Sequence, residues 1–307
     1  MAAHDVYGSL DELLSAEALT EILRRPIRSV RREPFTTAGY SSTEAAFEAV
    51  HLDGGASPSL ISKTVQRGRD WVAIATHDAV DREVWAWEAG LLDRLHGPAA
   101  HAVVGAARDD ATYSILMPDL SRHLLPDEHV ASSSPAQQMQ VVEALAALHA
   151  EFWADDALGE HGRELSSLAL QVGHTSPSSL ERVRRQMGTS AIVEWISQGW
   201  EQLPEIVDPG IAHDIRALAD DPGPVATAAA RLPQTLSHTD PRPANLAVDT
   251  ARGRVYFLDW ARPAPALPAY DLLYWVFTGD RHLAVPREAL IDAYARALAR
   301  ARGGDDT

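Results

Sequence analysis

Residues 234–260 read QTLSHTDPRPANLAVDTARGRVYFLDW. The stretch alternates turn-forming residues with two short apolar runs, Leu246–Val248 and Val255–Leu258. Two such runs divided by Asp, Thr, Arg and Gly suggest a small hairpin. The sequence on either side is helical in texture, so the hairpin is expected as a strand island inside a helical lobe.

Upstream, Ser134 followed by Pro135 and by Gln137 three positions after the cap marks a helix start. Met139, Val142, Leu145, Ala146, His149 and Phe152 form its apolar face. Further helices are expected near Ser178–Gln186, Ala191–Leu203, Ile211–Ala219 and Pro286–Ala301. The first 117 residues differ. A helix from Ser9 to Arg25, capped by Ser9 with Glu12 and stopped by Pro26, leads into a strand suggested by Val30, Phe35, Thr36, Thr37 and Tyr40 that runs into a turn at Gly39, and into strands near Ala46–Leu52 and Ser59–Val65. A helix near Val80–Leu95 and strands Ala102–Ala107 and Tyr113–Met117 complete this part. A strand-rich first lobe over residues 1–118 and a helical second lobe over 119–307 is the expected division.

The hairpin region carries the chemistry. His238-Thr-Asp240 is followed by Asn245, and Asp259 comes fourteen residues later at the end of an apolar run. Phosphoryl transfer needs a carboxylate to accept or orient the attacking hydroxyl's proton, oxygen ligands for Mg²⁺, and a cation on the nucleotide phosphates. Asp240 suits the first role, and Asn245 and Asp259 supply hard oxygens suited to magnesium. Protein kinases space their H-R-D, D-x4-N and metal-binding Asp in the same order.

Residues 234–275 resemble the catalytic segment of the aminoglycoside phosphotransferase family, including Asp259-Trp260 and the later Asp271-Leu272 step. The commonest family form has Gly between His and Asp, where this chain has Thr239. The resemblance implies an α+β, two-lobed protein-kinase-like fold that uses ATP and Mg²⁺ to phosphorylate a small-molecule hydroxyl. It assigns Asp240 as the base, Asn245 and Asp259 as metal ligands, and His238 and Asp271 as structural support. It also implies a phosphate clamp made by strand residue Lys63 and helix residue Glu83, with Glu88 as a rival partner. Ser41, Ser42 and Thr43, within Gly39–Thr43, occupy the position of the phosphate-covering turn. Met117 and Asp119 mark the hinge that reads the nucleobase. An aminoglycoside or related cationic antibiotic leads as acceptor, with a sugar, amino sugar or choline as the alternative. A nucleotide-binding pseudokinase is the competing class. Residues 155–230, where acceptor recognition should lie, resemble nothing nameable.

The bulk properties agree with this reading without demanding it. The 27 Lys+Arg against 43 Asp+Glu give a net charge of −16, which disfavours nucleic acid and anionic membranes as partners and tolerates a cationic substrate. Zero cysteines exclude disulfides, thiolate metal sites and cysteine nucleophiles. The thirteen histidines show no H-E-x-x-H or H-x3-H arrangement, so zinc catalysis has no support. No signal peptide or transmembrane run is visible, and the cytoplasm is expected. Taken alone, Lys63 reads as an exposed strand-edge lysine, His149 as a core residue, and Arg242 equally as a contact to the transferring phosphate or a solvated loop cation. Trp153, Trp195, Trp200 and Trp275 read as helix packing or as pocket walls. Asp155, Asp156, Glu194 and Asp280 are candidate contacts for a cation. The sequence says nothing of oligomeric state.

Overall fold

The structure is a computed structural model that describes residues 2–36, 45–126, 133–161, 164–278 and 283–304. The first half runs β1 (Val6–Tyr7), α1 (Leu10–Leu13), α2 (Ala16–Leu23), β2 (Val30–Pro34), β3 (Ala46–Leu52) and β4 (Leu60–Gln66). It continues with α3 (Trp71–Ala75), α4 (Arg82–Glu88), β5 (Ala99–His101), β6 (Gly105–Arg108) and β7 (Thr112–Pro118). Then come α5 (Pro135–Glu151), α6 (Ala157–Glu160), α7 (Leu168–Gly173), α8 (Pro177–Met187), α9 (Ala191–Ile206), α10 (Pro209–Asp220) and α11 (Gly223–Ala229). The chain ends with β8 (Thr235–Ser237), β9 (Leu246–Asp249), β10 (Arg254–Phe257), β11 (Ala264–Ala266), α12 (Pro268–Thr278) and α13 (Arg287–Ala301).

Six strands form one sheet in the order β1-β6-β7-β4-β3-β2, antiparallel except where β1 lies parallel to β6. The expected hairpin is present as β9 and β10, with Val255 opposite Val248 and Phe257 opposite Leu246. It is joined by β5 in parallel, so a strand from the first half of the chain completes the sheet that carries the catalytic motif. β8 and β11 pair as a further ribbon beside it. Sheet lobe and helical lobe together make the α+β, two-lobed arrangement expected from the sequence.

Local chemistry explains most element boundaries. Ser134 and Gln137 bond each other's backbone amides reciprocally, and Pro135 takes the first helical position of α5, where a missing N–H costs nothing. Val142, Leu145, Ala146, His149 and Phe152 from its predicted face are buried, and α13 packs along it. Ser176 with Pro177 and Asp208 with Pro209 repeat the cap-then-proline device at α8 and α10. The predicted N-terminal helix is instead two short helices. A second cap, Ser15, starts α2, and Arg24 in the left-handed region ends it. Glu12 does not bond the Ser9 amide but that of Gly8, at 2.8 Å.

The helix predicted to Leu95 stops at Glu88, with left-handed Gly90 (φ 72°) turning the chain just beyond. Of the run expected as strand Ala102–Ala107 only residues 105–107 are strand, as part of β6, while the residues just before it form β5, which belongs to a different sheet. Helices α3, α7, α11 and α12 and the two-residue β1 have no counterpart in the sequence expectations. α3 exists because Asp70 accepts from the amides of Val72 (2.8 Å) and Ala73 (3.2 Å), closing a first turn that five residues could not hold unaided.

Candidate active site

Lys63 lies on β4 and is 5% exposed, so it is not a strand-edge lysine. Its Nζ donates to Glu83 Oε2 at 2.7 Å and to Asp259 Oδ1 at 2.7 Å. Glu83 sits in the first turn of α4 and is buried, and Asp259 follows β10. Three elements far apart in sequence therefore converge on one ammonium. Burial by itself pushes Lys63 toward its neutral form, but the Asp259 and Glu83 carboxylates outweigh that and hold it above its ordinary value. Burial raises Glu83, opposed by the Lys63 charge. Asp259 is lowered, because Lys63 more than compensates its desolvation. Glu88 faces elsewhere and pairs with Arg108 at 2.8 Å.

The catalytic-motif loop is held by a buried acid. Asp271, in the first turn of α12, accepts the His238 amide on Oδ2 at 2.7 Å and the Thr239 amide on Oδ1 at 2.8 Å. The ring of His149 approaches the same carboxylate at 3.2 Å and Tyr294 at 2.6 Å, so His149 is a satisfied core residue. His238 donates from Nε2 to the Leu258 carbonyl at 2.8 Å and accepts the Asp240 amide on Nδ1 at 3.3 Å. Burial depresses its basicity, which suits this neutral bridge between the loop and the strand leading to Asp259.

Thr239 has φ 70°, a region that β-branched residues rarely enter. That is the conformational reason a glycine would be at home there. The strain is contained by the Asp271 bond and by Thr239 Oγ1 donating to the Arg262 carbonyl at 2.9 Å.

Asp240 stands at the loop apex. Asn245 Nδ2 donates to its Oδ2 at 3.1 Å and to its backbone carbonyl at 3.0 Å, which leaves Asn245 Oδ1 as the amide's free ligand atom. The Leu258 amide donates to the Asn245 carbonyl at 2.9 Å, so the residue before Asp259 is tied to Asn245. A carboxylate oxygen and an amide oxygen thus lie on adjoining backbone, a donor pair that fits magnesium, which is usually held by one or two protein oxygens plus phosphate and water. Among the described residues no group of three or more His, Asp or Glu is placed to hold a metal ion.

Two arginines flank Asp240, namely Arg262 with Nη2 at 3.3 Å from Oδ1 and Arg242 with Nε at 4.0 Å from Oδ2. Tyr274 lies near the same carboxylate, and burial pushes its hydroxyl up. Tyr270, one turn earlier, is pushed up to about 12 by burial. Arg262, Tyr270, Tyr274 and His174 were not foreseen; only the arginine's place three residues after Asp259 could have flagged any of them.

Met117 lies in β7 opposite Ile61, and the Asp119 amide donates to the Ser59 carbonyl at 3.2 Å. That register turns the backbone groups of both toward β4 and those of Pro118 to the other side of the strand. Ser41, Ser42 and Thr43, with the rest of the turn, and Asp280 lie outside the described residues. Two of the candidate acids for a cationic acceptor are engaged, Asp155 with Arg94 at 2.6 Å and Glu194 with Arg184 at 2.9 Å, while Asp156 is exposed. Among the candidate pocket tryptophans, Trp275 is buried and Trp195 is 63% exposed.

No protein-family profile and no curated protein matches this chain. Solved structures that resemble it include aminoglycoside phosphotransferase APH(3'')-Id from Streptomyces rimosus, 18% identical over 90% of this chain and 87% of that one, TM-score 0.49. Macrolide 2'-phosphotransferase MphH from Brachybacterium faecium is 19% identical over 96% and 84%, TM-score 0.44. Choline kinase LicA from Streptococcus pneumoniae is 15% identical over 93% and 80%, TM-score 0.47. Among the described residues no helix is long and apolar enough to cross a membrane.

Proposed function

We propose that the chain is an ATP- and magnesium-dependent O-phosphotransferase that moves a γ-phosphoryl group to a hydroxyl of a small molecule. The observation that carries this reading is the convergence of Glu83 and Asp259 on the Lys63 ammonium, each at 2.7 Å, beside the Asp240–Asn245 loop. The nucleotide would lie between residues 1–118 and 119–307. Bound Mg-ATP supplies the transferable phosphoryl group and the charge neutralisation that its loose transition state needs. Lys63, aimed by Glu83, would clamp the α- and β-phosphates. Asn245 and Asp259 would hold the metal, and the backbone around Met117, Pro118 and Asp119 would read the nucleobase. Asp240 would orient the acceptor hydroxyl and take its proton, while Asp271 and His238 keep the loop in register. ATP as donor puts the reaction in the cytoplasm.

The family resemblance favours a cationic antibiotic as acceptor. A second reading, a metabolic hydroxyl compound uncharged near its reacting end, is favoured by a specific observation. The groups around Asp240 are two guanidiniums and two tyrosines, and Asp155 and Glu194 are already paired with arginines.

The test is ADP release from Mg-ATP with aminoglycosides, amino sugars, choline and neutral sugars as acceptors. Acceptor-dependent ADP is expected, and Asp240→Ala should cut turnover by 10²-fold or more while Mg-ATP still raises the melting temperature. Mg-ATP binding with no acceptor-dependent ADP from any class would favour the pseudokinase. Full turnover by Asp240→Ala would remove Asp240 as the base.

A further inference from the structure

Residues 155–230 resembled nothing in sequence, yet one side chain from this segment reaches the group facing Asp240. His174 ends α7, with Nδ1 2.6 Å from the Gln171 carbonyl and Nε2 2.7 Å from Arg262 Nη1. A carbonyl oxygen only accepts, so Nδ1 carries the ring proton and Nε2 offers its lone pair to the guanidinium. The ring stacks on Trp71 of α3, with centroids 5.9 Å apart and planes 22° apart, so the sheet lobe braces it. Burial and the Arg262 charge pull its pKa down to about 3, which keeps it a neutral acceptor through the physiological range.

The opposite nitrogen of the same guanidinium, Nη2, donates to the Thr239 carbonyl at 3.3 Å. It also lies 3.3 Å from Asp240 Oδ1, a buried oxygen with which it makes no aligned hydrogen bond. Arg262 is thus anchored at both ends by neutral acceptors. It lends charge to Asp240 without closing the two-bond fork that arginine and carboxylate form when free to do so. Such a fork would occupy the lone pairs an acceptor hydroxyl must use.

We infer that His174 is a positioning residue for the proposed phosphotransfer: by accepting from Arg262 it holds the guanidinium back from Asp240 and keeps that carboxylate available to the acceptor. The inference rests on the phosphotransfer reading and gives the unmatched segment a part in the chemistry.

The experiment compares His174→Leu, which fills the space without an acceptor, with His174→Gln, whose amide oxygen can accept. Full-length chain, Mg-ATP and the best acceptor from the panel are used. His174→Leu should lower kcat at least tenfold with KM for Mg-ATP within twofold of wild type, and His174→Gln should recover kcat to within threefold. Equal loss in both variants, or undiminished kcat in His174→Leu, would overturn the inference. On the wild-type chain, ring-nitrogen NMR should show the Nδ1-protonated form from pH 8 down to pH 5. A ring protonated on Nε2, or titrating near its ordinary value, would overturn the pairing even if His174→Leu failed to fold. If no acceptor released ADP, the phosphotransfer reading would fall, and the ring signals would still decide whether His174 serves as the acceptor for Arg262.

Discussion

Replacing Lys63 with Met removes a buried cation and leaves two carboxylates facing an apolar chain. Glu83 bears most of the consequence, because its side chain is 1% exposed while that of Asp259 keeps 27% and can rehydrate. Breaking a buried pair by deleting one partner costs about 3–5 kcal/mol. For a chain of this size that is a fall in melting temperature on the order of 10 °C. The loss should depend on pH, and its sign follows from Glu83. Burial already raises its folded pKa, with Lys63 opposing, and losing the lysine raises it further. Between the unfolded value and that raised value the native state keeps a proton that the unfolded chain has released. Stability there falls as pH rises, by up to about 1.4 kcal/mol per pH unit. Lys63→Met should therefore melt closest to wild type near pH 5 and furthest from it near pH 8. Adding Glu83→Gln should restore at least half of the lost stability at pH 8 without restoring Mg-ATP binding. Thermal melts of wild type, single and double variants from pH 5 to 8 measure this. A deficit that is flat in pH, or a double variant no better than the single, would refute the buried-pair account.

Asp271→Asn keeps the shape but turns an NH₂ toward one of the two amides the acid now accepts, costing about 2–4 kcal/mol from a lost charge-assisted bond and an unpaired donor. Turnover should fall with it, and a melting temperature within about 2 °C of wild type would contradict this role. Thr239→Gly should be nearly neutral in stability, within about 1 kcal/mol, because relief of the φ 70° strain offsets the lost hydroxyl bond to the Arg262 carbonyl; denaturant midpoints decide it. Asp259→Ala should abolish the Mg-ATP-dependent rise in melting temperature, whereas Asp240→Ala should keep it. Arg82→Met should destabilise by about 2–4 kcal/mol, since its buried guanidinium bonds Thr76 Oγ1 and carbonyl at 2.8 Å each and, across the lobes, the Glu164 carbonyl at 3.0 Å. Melting curves of that variant check it.

The hairpin and the caps were legible because local chemistry determines them. Apolar runs separated by turn residues specify β9 and β10, and Ser134 with the following Pro135 announces α5 whatever surrounds it. Asp240, Asn245 and Asp259 were candidates from residue type and spacing, since few side chains suit proton and metal work, whereas Lys63 and Glu83 entered only through the family resemblance. The division of residues 99–108 between two sheets was not readable. β5 is a strand only because β10 lies alongside it, and that partner is more than 150 positions away. α3 is likewise five residues with little helical preference of its own, stabilised by the Asp70 cap and by packing of Trp71, Val72 and Ala75 against Leu180 and Val183.

The sequence alone determined which groups could do the chemistry and in what order they occur along the chain, because composition and spacing are properties of a line. Only the tertiary structure decided that one ammonium sits between Glu83 and Asp259, that Asp271 grips two amides of the loop, and that a histidine from an unrecognised segment shares Arg262 with Asp240. Those interactions act over about 3 Å, and no local preference of the chain encodes a meeting between residues 88 or 196 positions apart.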